Sequence, residues 1–306
     1  MKNKGIYLAL TTALISGFAV FFNKFASKAF DDPYIFTTLK NIGVAVLLVS
    51  IVLLPKFLKQ LKQLKRREWS YLLLIGLIGG SIPFLLFFKG LAMVSSGNAA
   101  LIHKTLFIWV GILAIIFLKE KLGRLQILAL VVLLAGNFIL LGFKGWEFGR
   151  GDLLIFGATL FWAVEFILAK KVLCNLNSEI VAWGRMFFGS LFLVGFIFAT
   201  GRAEAMFAVG AGQLKWLLLS TPFLFLYVFT WYKALKYAPA SVVTVALVPA
   251  ALITALLNSI FIAGIFSIRQ LIVSILFAGG IFIFLKFRPS PSVIPAKAGI
   301  SIWESR

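Results

Sequence analysis

Long apolar segments alternate with short polar ones along nearly the whole chain. Crossing a bilayer takes about 20 mostly apolar residues, because only a helix pairs all of its own backbone polar groups within hydrocarbon. Ten segments approach this length, at residues 6–22, 33–54, 69–88, 95–118, 125–143, 151–169, 180–200, 214–232, 241–262 and 270–285. The pattern therefore predicts an all-α integral membrane protein with ten transmembrane helices.

The composition excludes a soluble globular protein, since 61% of the 306 residues are hydrophobic and only 13% are charged. Lys2 and Lys4 precede a short apolar run, as in a signal peptide, but no small-residue cleavage site follows before Asn23. Cys174 is the single cysteine, so an internal disulfide is excluded, and with a single histidine we expect no metal site and no cofactor.

The formal net charge of +20 is best explained by membrane orientation. Most Lys and Arg residues fall in segments that are cytoplasmic if the N-terminus is inside, which predicts both termini in the cytoplasm and a multi-pass protein of the inner (plasma) membrane. Basic residues alternate with apolar ones over residues 56–67, which predicts an amphipathic helix on anionic lipids rather than a nucleic-acid site. The proline-containing tail, residues 287–306, is predicted to be a disordered cytoplasmic segment.

The two halves of the chain align at a shift of about 144 residues, which indicates a duplication. Residues 87–91 match residues 231–235, and Phe117, Gln126 and Gly136 match Phe261, Gln270 and Gly280. We place the first repeat at 1–145 and the second at 146–286. Because each repeat crosses the membrane five times, the second enters from the opposite side, and inverted repeats of this kind are typical of transporters with a substrate site between the repeats.

The sequence resembles the EamA-type branch of the drug/metabolite transporter superfamily over nearly its whole length. The resemblance rests on the Asn23-Lys24 end of helix 1, a basic residue early in helices 2 and 7, Ala-Leu stretches opening helices 4 and 9, Pro249, residues 118–120 and Gln126. It implies export of small metabolites such as amino acids or related compounds. Four positions depart from the pattern. Lys40 stands in place of Arg, Thr105 stands where the second repeat has Pro249, and Gly264 stands where the first has Glu120. Ser16 replaces the tryptophan typical of helix 1, which Trp162 keeps in helix 6.

Charged side chains inside the membrane cost about 2.5–3.5 kcal/mol each on insertion scales, so they usually face a cavity or a partner. Lys104 and Glu165 lie deep in helices 4 and 6. These helices run in the same direction, and the depth difference of about 7 Å is within reach of the two side chains. We therefore predict an ion pair between Lys104 and Glu165 beside the transport cavity, with a structural pair as the alternative.

Other polar and aromatic residues are candidates for the same cavity. They are His103, Lys40 and Arg185, the aromatic residues Trp109, Trp162 and Tyr227, and Ser16 and Asn23 on a small polar face of helix 1. Interhelical hydrogen bonding, snorkelling to the interfaces and helix packing are the structural alternatives for these side chains. If the three cations share a cavity with Glu165, its net charge is about +2, which favours a substrate with a carboxylate or another anionic group.

Other functions are less well supported by the residues. No HExxH, nucleophile elbow or phosphate-binding loop is present, so we do not expect an enzyme. A lipid or lipid-linked sugar carrier, an ion channel and an intramembrane enzyme remain as alternatives. Two repeats in one chain can enclose a pathway, so a monomer suffices.

Overall fold

A computed structural model describes residues 3–94, 96–141, 149–265 and 267–287. Within these ranges every regular element is a helix. Among the described residues, nine helical segments are long and apolar enough to cross a membrane, and a shorter apolar helix at Arg124–Leu140 supplies the tenth crossing. The predicted all-α fold with ten membrane spans is confirmed.

The first five spans contain eight helices. These are α1 (Lys4–Ala26), α2 (Pro33–Val52), α3 (Pro55–Lys62), α4 (Arg66–Gly80), α5 (Ile82–Leu91), α6 (Ser96–Lys104), α7 (Leu106–Leu118) and α8 (Arg124–Leu141). Helices α4 and α5 together form span 3, helices α6 and α7 form span 4, and α3 is a short connector.

The last five spans repeat this order. They contain α9 (Arg150–Val172), α10 (Ser178–Ala199), the short connector α11 (Ala203–Phe207), α12 (Ala211–Tyr237), α13 (Ala240–Ala246), α14 (Pro249–Asn258) and α15 (Ile268–Lys286). Helices α13 and α14 form span 9, which continues into a π-helical turn at Ser259–Ala263.

Spans 4 and 9 are interrupted at matched positions, 144 residues apart. Helix α7 begins after Thr105, and α14 begins at Pro249, whose ring cannot donate a backbone hydrogen bond. Span 3 is also interrupted, at Ser81, and Pro83 lies in the first turn of α5. Pro222, in contrast, lies inside the continuous helix α12.

The two repeats pack mainly on each other. Helix α1 lies against α12 and α14, and α2 lies against α10. Helix α4 lies against α9 and α10, and α5 lies against α9. The backbones of α4 and α10 approach so closely at Gly80 and Gly189 that a Cβ on Gly189 would lie 2.8 Å from Gly80 Cα. Small residues at helix crossings allow the backbones of membrane helices to approach this closely.

The predicted surface helix at residues 56–67 is divided between α3 and the start of α4. Phe57, Leu61 and Leu64 pack against the hydrophobic core of the protein. Gln60 donates to Asn175 O at 3.3 Å and its Oε1 accepts from the Asn177 N–H at 3.1 Å. The apolar face of α3 thus contacts protein, and binding of anionic lipids by its lysines stays a prediction. The predicted disordered tail lies outside the described residues after Phe287.

Candidate functional site

A cleft of about 420 Å³ lies between the two repeats. Its walls come from α1, α2, α5 and α6 of the first repeat and from α9, α10 and α12 of the second. Nine of the ten candidate residues line it, and these are Ser16, Asn23, Lys40, His103, Lys104, Trp162, Glu165, Arg185 and Tyr227. The helices thus bring together residues that are up to 211 positions apart in the sequence, from Ser16 to Tyr227.

The structure places the tenth candidate, Trp109, outside this cleft. Its indole Nε1 donates to Thr105 Oγ1 at 3.0 Å, and its ring packs edge-on against Phe156 with centroids 5.3 Å apart. Trp109 follows Lys104 by five residues, which puts it about 140° away around a helix. The predicted cavity role of Trp109 is therefore wrong, and it is a packing residue.

The predicted ion pair between Lys104 and Glu165 is also wrong. Glu165 Oε1 lies 3.9 Å from Arg185 Nε and accepts a hydrogen bond from the Tyr232 hydroxyl at 2.6 Å. Counted from the ends of α9 and α10 nearest Asn23, Glu165 and Arg185 both lie about 21–22 Å deep. Arg185 therefore reaches Glu165 at its own level, whereas Lys104 would need to bridge several ångströms of depth.

Gly79 explains how this pair fits between the repeats. A Cβ at Gly79 would overlap Glu165 Cγ, and it would lie 3.2 Å from Arg185 Nε. In a continuous helix the Gly79 carbonyl would accept from residue 83, but that residue is proline and has no N–H. The freed Gly79 oxygen instead accepts from Arg185 Nη2 at 3.0 Å and from Trp162 Nε1 at 3.1 Å.

Lys40 and Lys104 have no carboxylate partner among the described residues. Lys40 is 8% exposed; it donates to Asn23 Oδ1 at 3.3 Å and lies 4.6 Å from the centre of the Phe36 ring. Lys104 lines both the main cleft and a small adjoining pocket of about 90 Å³ beneath the breaks in spans 4 and 9. The alternative that Lys40 and Arg185 snorkel to the interfaces is not observed, since both side chains are buried within the protein.

Aromatic rings form much of the remaining wall. His103 packs against Trp162 and Phe87, with centroids 4.8 and 5.5 Å apart, and its Nδ1 has no hydrogen-bond partner among the described residues. Tyr227 stacks on Trp231 with centroids 6.4 Å apart. The cleft thus combines a few charges with apolar surface, as small-molecule sites commonly do.

Several residues that contribute to the cleft were not predicted from the sequence. Tyr232 bonds Glu165, and Asn41 donates to Gly80 O at 3.4 Å while also lining the cleft. The Gly79 carbonyl is a backbone acceptor, which composition cannot reveal. The sequence feature that indicates a free carbonyl at Gly79 is Pro83, which lies four residues later and has no N–H to donate.

The end of the molecule opposite Asn23 is packed shut, and we name it the sealed end. All seven residues of α13 are buried there. The Glu120 carboxylate accepts from the Ala240 N–H at 2.7 Å, from the Ser241 N–H at 3.2 Å and from the Ser241 hydroxyl. Lys170 Nζ donates to Leu235 O at 2.6 Å and to Ala238 O at 2.7 Å. Within the described residues, access to the cleft is therefore blocked at this end.

The described residues contain no group of three or more His, Cys, Asp or Glu side chains that could hold a metal ion. The chemistry that the cleft offers is hydrogen bonding, charge pairing and aromatic contact.

Comparisons with known proteins agree with this architecture. The chain is 32% identical over 139 residues to an uncharacterized transporter of Haemophilus influenzae, covering 43% of this chain and 45% of that protein. It is 28% identical over 185 residues to the uncharacterized transporter YyaM of Bacillus subtilis, covering 56% and 57%. The chain thus matches about half the length of these curated relatives.

A solved crystal structure shares the fold with a TM-score of 0.74 at 17% identity, over 92% of this chain and 96% of that one. The profile of the EamA-like transporter family matches twice, at residues 3–142 and 149–286. The resemblance stated from the sequence is confirmed, and the protein is a multi-pass membrane protein. The chain belongs to the EamA-like transporter family.

Proposed function

We propose that this protein is a secondary transporter that exports small, carboxylate-bearing metabolites, such as amino acids or related compounds, across the inner membrane. One observation carries the proposal. A single cleft between the repeats is lined by three cations and one carboxylate, Lys40, Lys104, Arg185 and Glu165, and by aromatic rings. Buried charges are retained in membrane proteins chiefly where they act on a solute or on one another.

The geometry of the two ends supports transport by alternating access. The cleft is formed in the half of the molecule that contains Asn23, Lys40 and Leu91, while Glu120 and α13 close the sealed end. Rocking of one repeat against the other would open the sealed end and close the cleft around its solute. The basic residues of α3 and the start of α4 lie at the sealed end, which supports a cytoplasmic location for that end by the positive-inside rule.

The test is flux in proteoliposomes that contain the purified protein and a panel of radiolabelled amino acids, organic acids and nucleosides. Native protein should transport at least one carboxylate-bearing member. Lys104→Ala should lower that flux about 10-fold to 100-fold, because a charge-assisted hydrogen bond contributes about 1.5–3 kcal/mol. Glu165→Ala should also lower it, since the freed Arg185 then holds the bound acid more tightly and slows its release.

Lys215→Ala is the matched control, because Lys215 is an exposed lysine of α12 outside the cleft. It should transport at the native rate. Equal flux through the native protein, Lys104→Ala and Glu165→Ala would contradict the proposed site. Conductance far above transporter turnover in planar bilayers would instead identify a channel.

A further inference from the structure

The charges of the cleft divide into two groups at different depths. Glu165 and Arg185 form an ion pair that belongs to the second repeat and lies about 21–22 Å from the helix ends nearest Asn23. Lys40 and Lys104 belong to the first repeat. Counted from the starts of α2 and α6, they lie only about 10–12 Å deep. The deep group is formally neutral, and the shallow group carries two positive charges.

The deep pair is neutral as a whole and is held in place by its surroundings, while Arg185 Nε has no hydrogen-bond partner among the described residues. Glu165 Oε1 is bonded by the Tyr232 hydroxyl at 2.6 Å, and Arg185 Nη2 is bonded to Gly79 O at 3.0 Å. The Arg185 guanidinium also lies 5.6 Å from the centre of the Trp231 ring. These contacts hold the arginine charge against the glutamate, so the pair adds little net attraction for a charged solute.

The two lysines are in the opposite situation. Lys40 has only neutral partners, Asn23 Oδ1 at 3.3 Å and the Phe36 ring with its centre at 4.6 Å, and Lys104 forms no ion pair with the described carboxylates. Taking an ammonium group out of water is costly unless an anion pairs with it. Both side chains line the cleft, so a solute can supply the missing anions.

We propose that the preferred solute is a small dicarboxylate, with one carboxylate for Lys40 and one for Lys104. The inference rests on the proposed transport function and names the substrate class of the same site. Phe84, Phe87 and Trp162 line the cleft as well, and they offer apolar contact for the carbon chain between the two acidic groups. The cleft volume of about 420 Å³ suits a small molecule of this kind.

The experiment compares matched acids on the purified full-length protein in nanodiscs. Dicarboxylates of four to six carbons, succinate to adipate, are measured by calorimetry against monocarboxylates of the same length, butyrate to hexanoate. Native protein should bind the best dicarboxylate at least tenfold more tightly than its matched monocarboxylate. Lys40→Gln and Lys104→Gln should each reduce that preference to less than threefold, because each removes one of the two unpaired charges.

Glu165→Gln tests the effect of the cleft's net charge by removing its carboxylate instead of one of its lysines. It frees Arg185 from its partner and raises the formal charge of the cleft, so dicarboxylate binding should be kept or strengthened. The apparent melting temperature of each lysine variant should equal or exceed that of native protein, since an unpaired buried cation is removed. A lysine variant that melts lower shows that the lysine already has a stabilising partner, which contradicts the inference.

The outcomes separate the inference from the function beneath it. Equal affinity for dicarboxylates and monocarboxylates would overturn the dicarboxylate inference and leave transport of carboxylate-bearing solutes intact. Binding of neither series, together with no flux of any acid in the proteoliposome panel, would overturn both. A dicarboxylate preference that persists in both lysine variants would show that other residues bind the acid.

Discussion

The two repeats share their order of helices and a break in the fourth helix, but they differ where the site and the seal are built. Span 3 of the first repeat is broken at Ser81, whereas its counterpart in the second repeat, α12, is continuous. The break frees the Gly79 carbonyl, which then bonds Arg185 and Trp162 from the second repeat. Loss of symmetry in one helix thus supplies an acceptor to side chains of the other repeat.

A second difference lies just after the fourth span of each repeat. Glu120 follows span 4 and caps the N-terminus of α13, where its carboxylate accepts two backbone N–H groups and the Ser241 hydroxyl. The matched residue after span 9 is Gly264, which has no side chain. An anion at a helix N-terminus is stabilising because it pairs orphan N–H groups and complements the helix dipole. The duplication gives both repeats this position, but only one repeat has the carboxylate.

The second difference explains why a carboxylate joins the two repeats at one end of the molecule only. The glutamate of the first repeat binds the second repeat at the sealed end, and no carboxylate from residue 264 can do the same at the cleft end. Divergence between the copies therefore produces a preferred conformation that a strictly symmetric protein would lack. Each difference can be removed by a single substitution.

The largest effect is expected for Glu120→Gln. The amide keeps the size of the side chain but points an NH₂ group at backbone donors, which leaves buried donors without an acceptor. Breaking a buried charged contact in this way costs about 3–5 kcal/mol. The apparent melting temperature of the purified protein should fall, and the sealed end should open.

Opening is measured by thiol labelling in a Cys174→Ser background with Val242→Cys. Val242 is fully buried in α13, so a water-soluble maleimide should react slowly with this cysteine unless Glu120→Gln is added. Glu68→Gln is the control, because Glu68 also caps a helix, accepting from the Lys65 N–H at 2.8 Å, but at an exposed site. Equal labelling with and without Glu120→Gln would show that the Glu120 contact does not hold this end closed.

A smaller effect is expected for Gly79→Ala, which tests the broken third span. The new Cβ would overlap Glu165 and crowd Arg185, and overpacking of this kind costs about 1–3 kcal/mol. Gly195→Ala in α10 is the matched control, since its Cβ would meet nothing within 4 Å. That variant should match or exceed native stability, because alanine favours a helix by about 1 kcal/mol over glycine. Equal melting temperatures for the two variants would contradict the role given to Gly79.

The fold was predictable from the sequence because its main determinant is local. The length and apolarity of each segment decide whether it crosses the membrane, and the positions of all ten spans follow from that. The residues around the cleft were also largely predictable, because a charged residue such as Lys104 or Glu165 is rare within a span and usually faces the protein interior.

The pairing of those residues was not predictable in the same way. Depth along a helix follows from residue number, but lateral distance between helices does not, and Glu165 pairs with Arg185 because α9 and α10 place them at one level. The direction of a side chain around a broken helix is a further unknown, as Trp109 shows. Backbone acceptors such as Gly79 O become visible only once the break at Ser81 is known.

The smallest effect is expected from comparing the two prolines that lie in the third and eighth spans. Pro83→Ala adds an N–H that can compete for the Gly79 carbonyl, now shared by Arg185 and Trp162. The bond to Trp162, whose ring is proposed to contact the carbon chain of the solute, contributes about 0.5–1.5 kcal/mol, so affinity for the best carboxylate of the nanodisc series should fall by about two- to tenfold. Pro222→Ala adds an N–H inside the continuous helix α12, and its affinity should be native. If both variants bind like native protein, the Gly79 oxygen does not position Trp162; if both lose affinity equally, loosening of the helices rather than this acceptor controls binding.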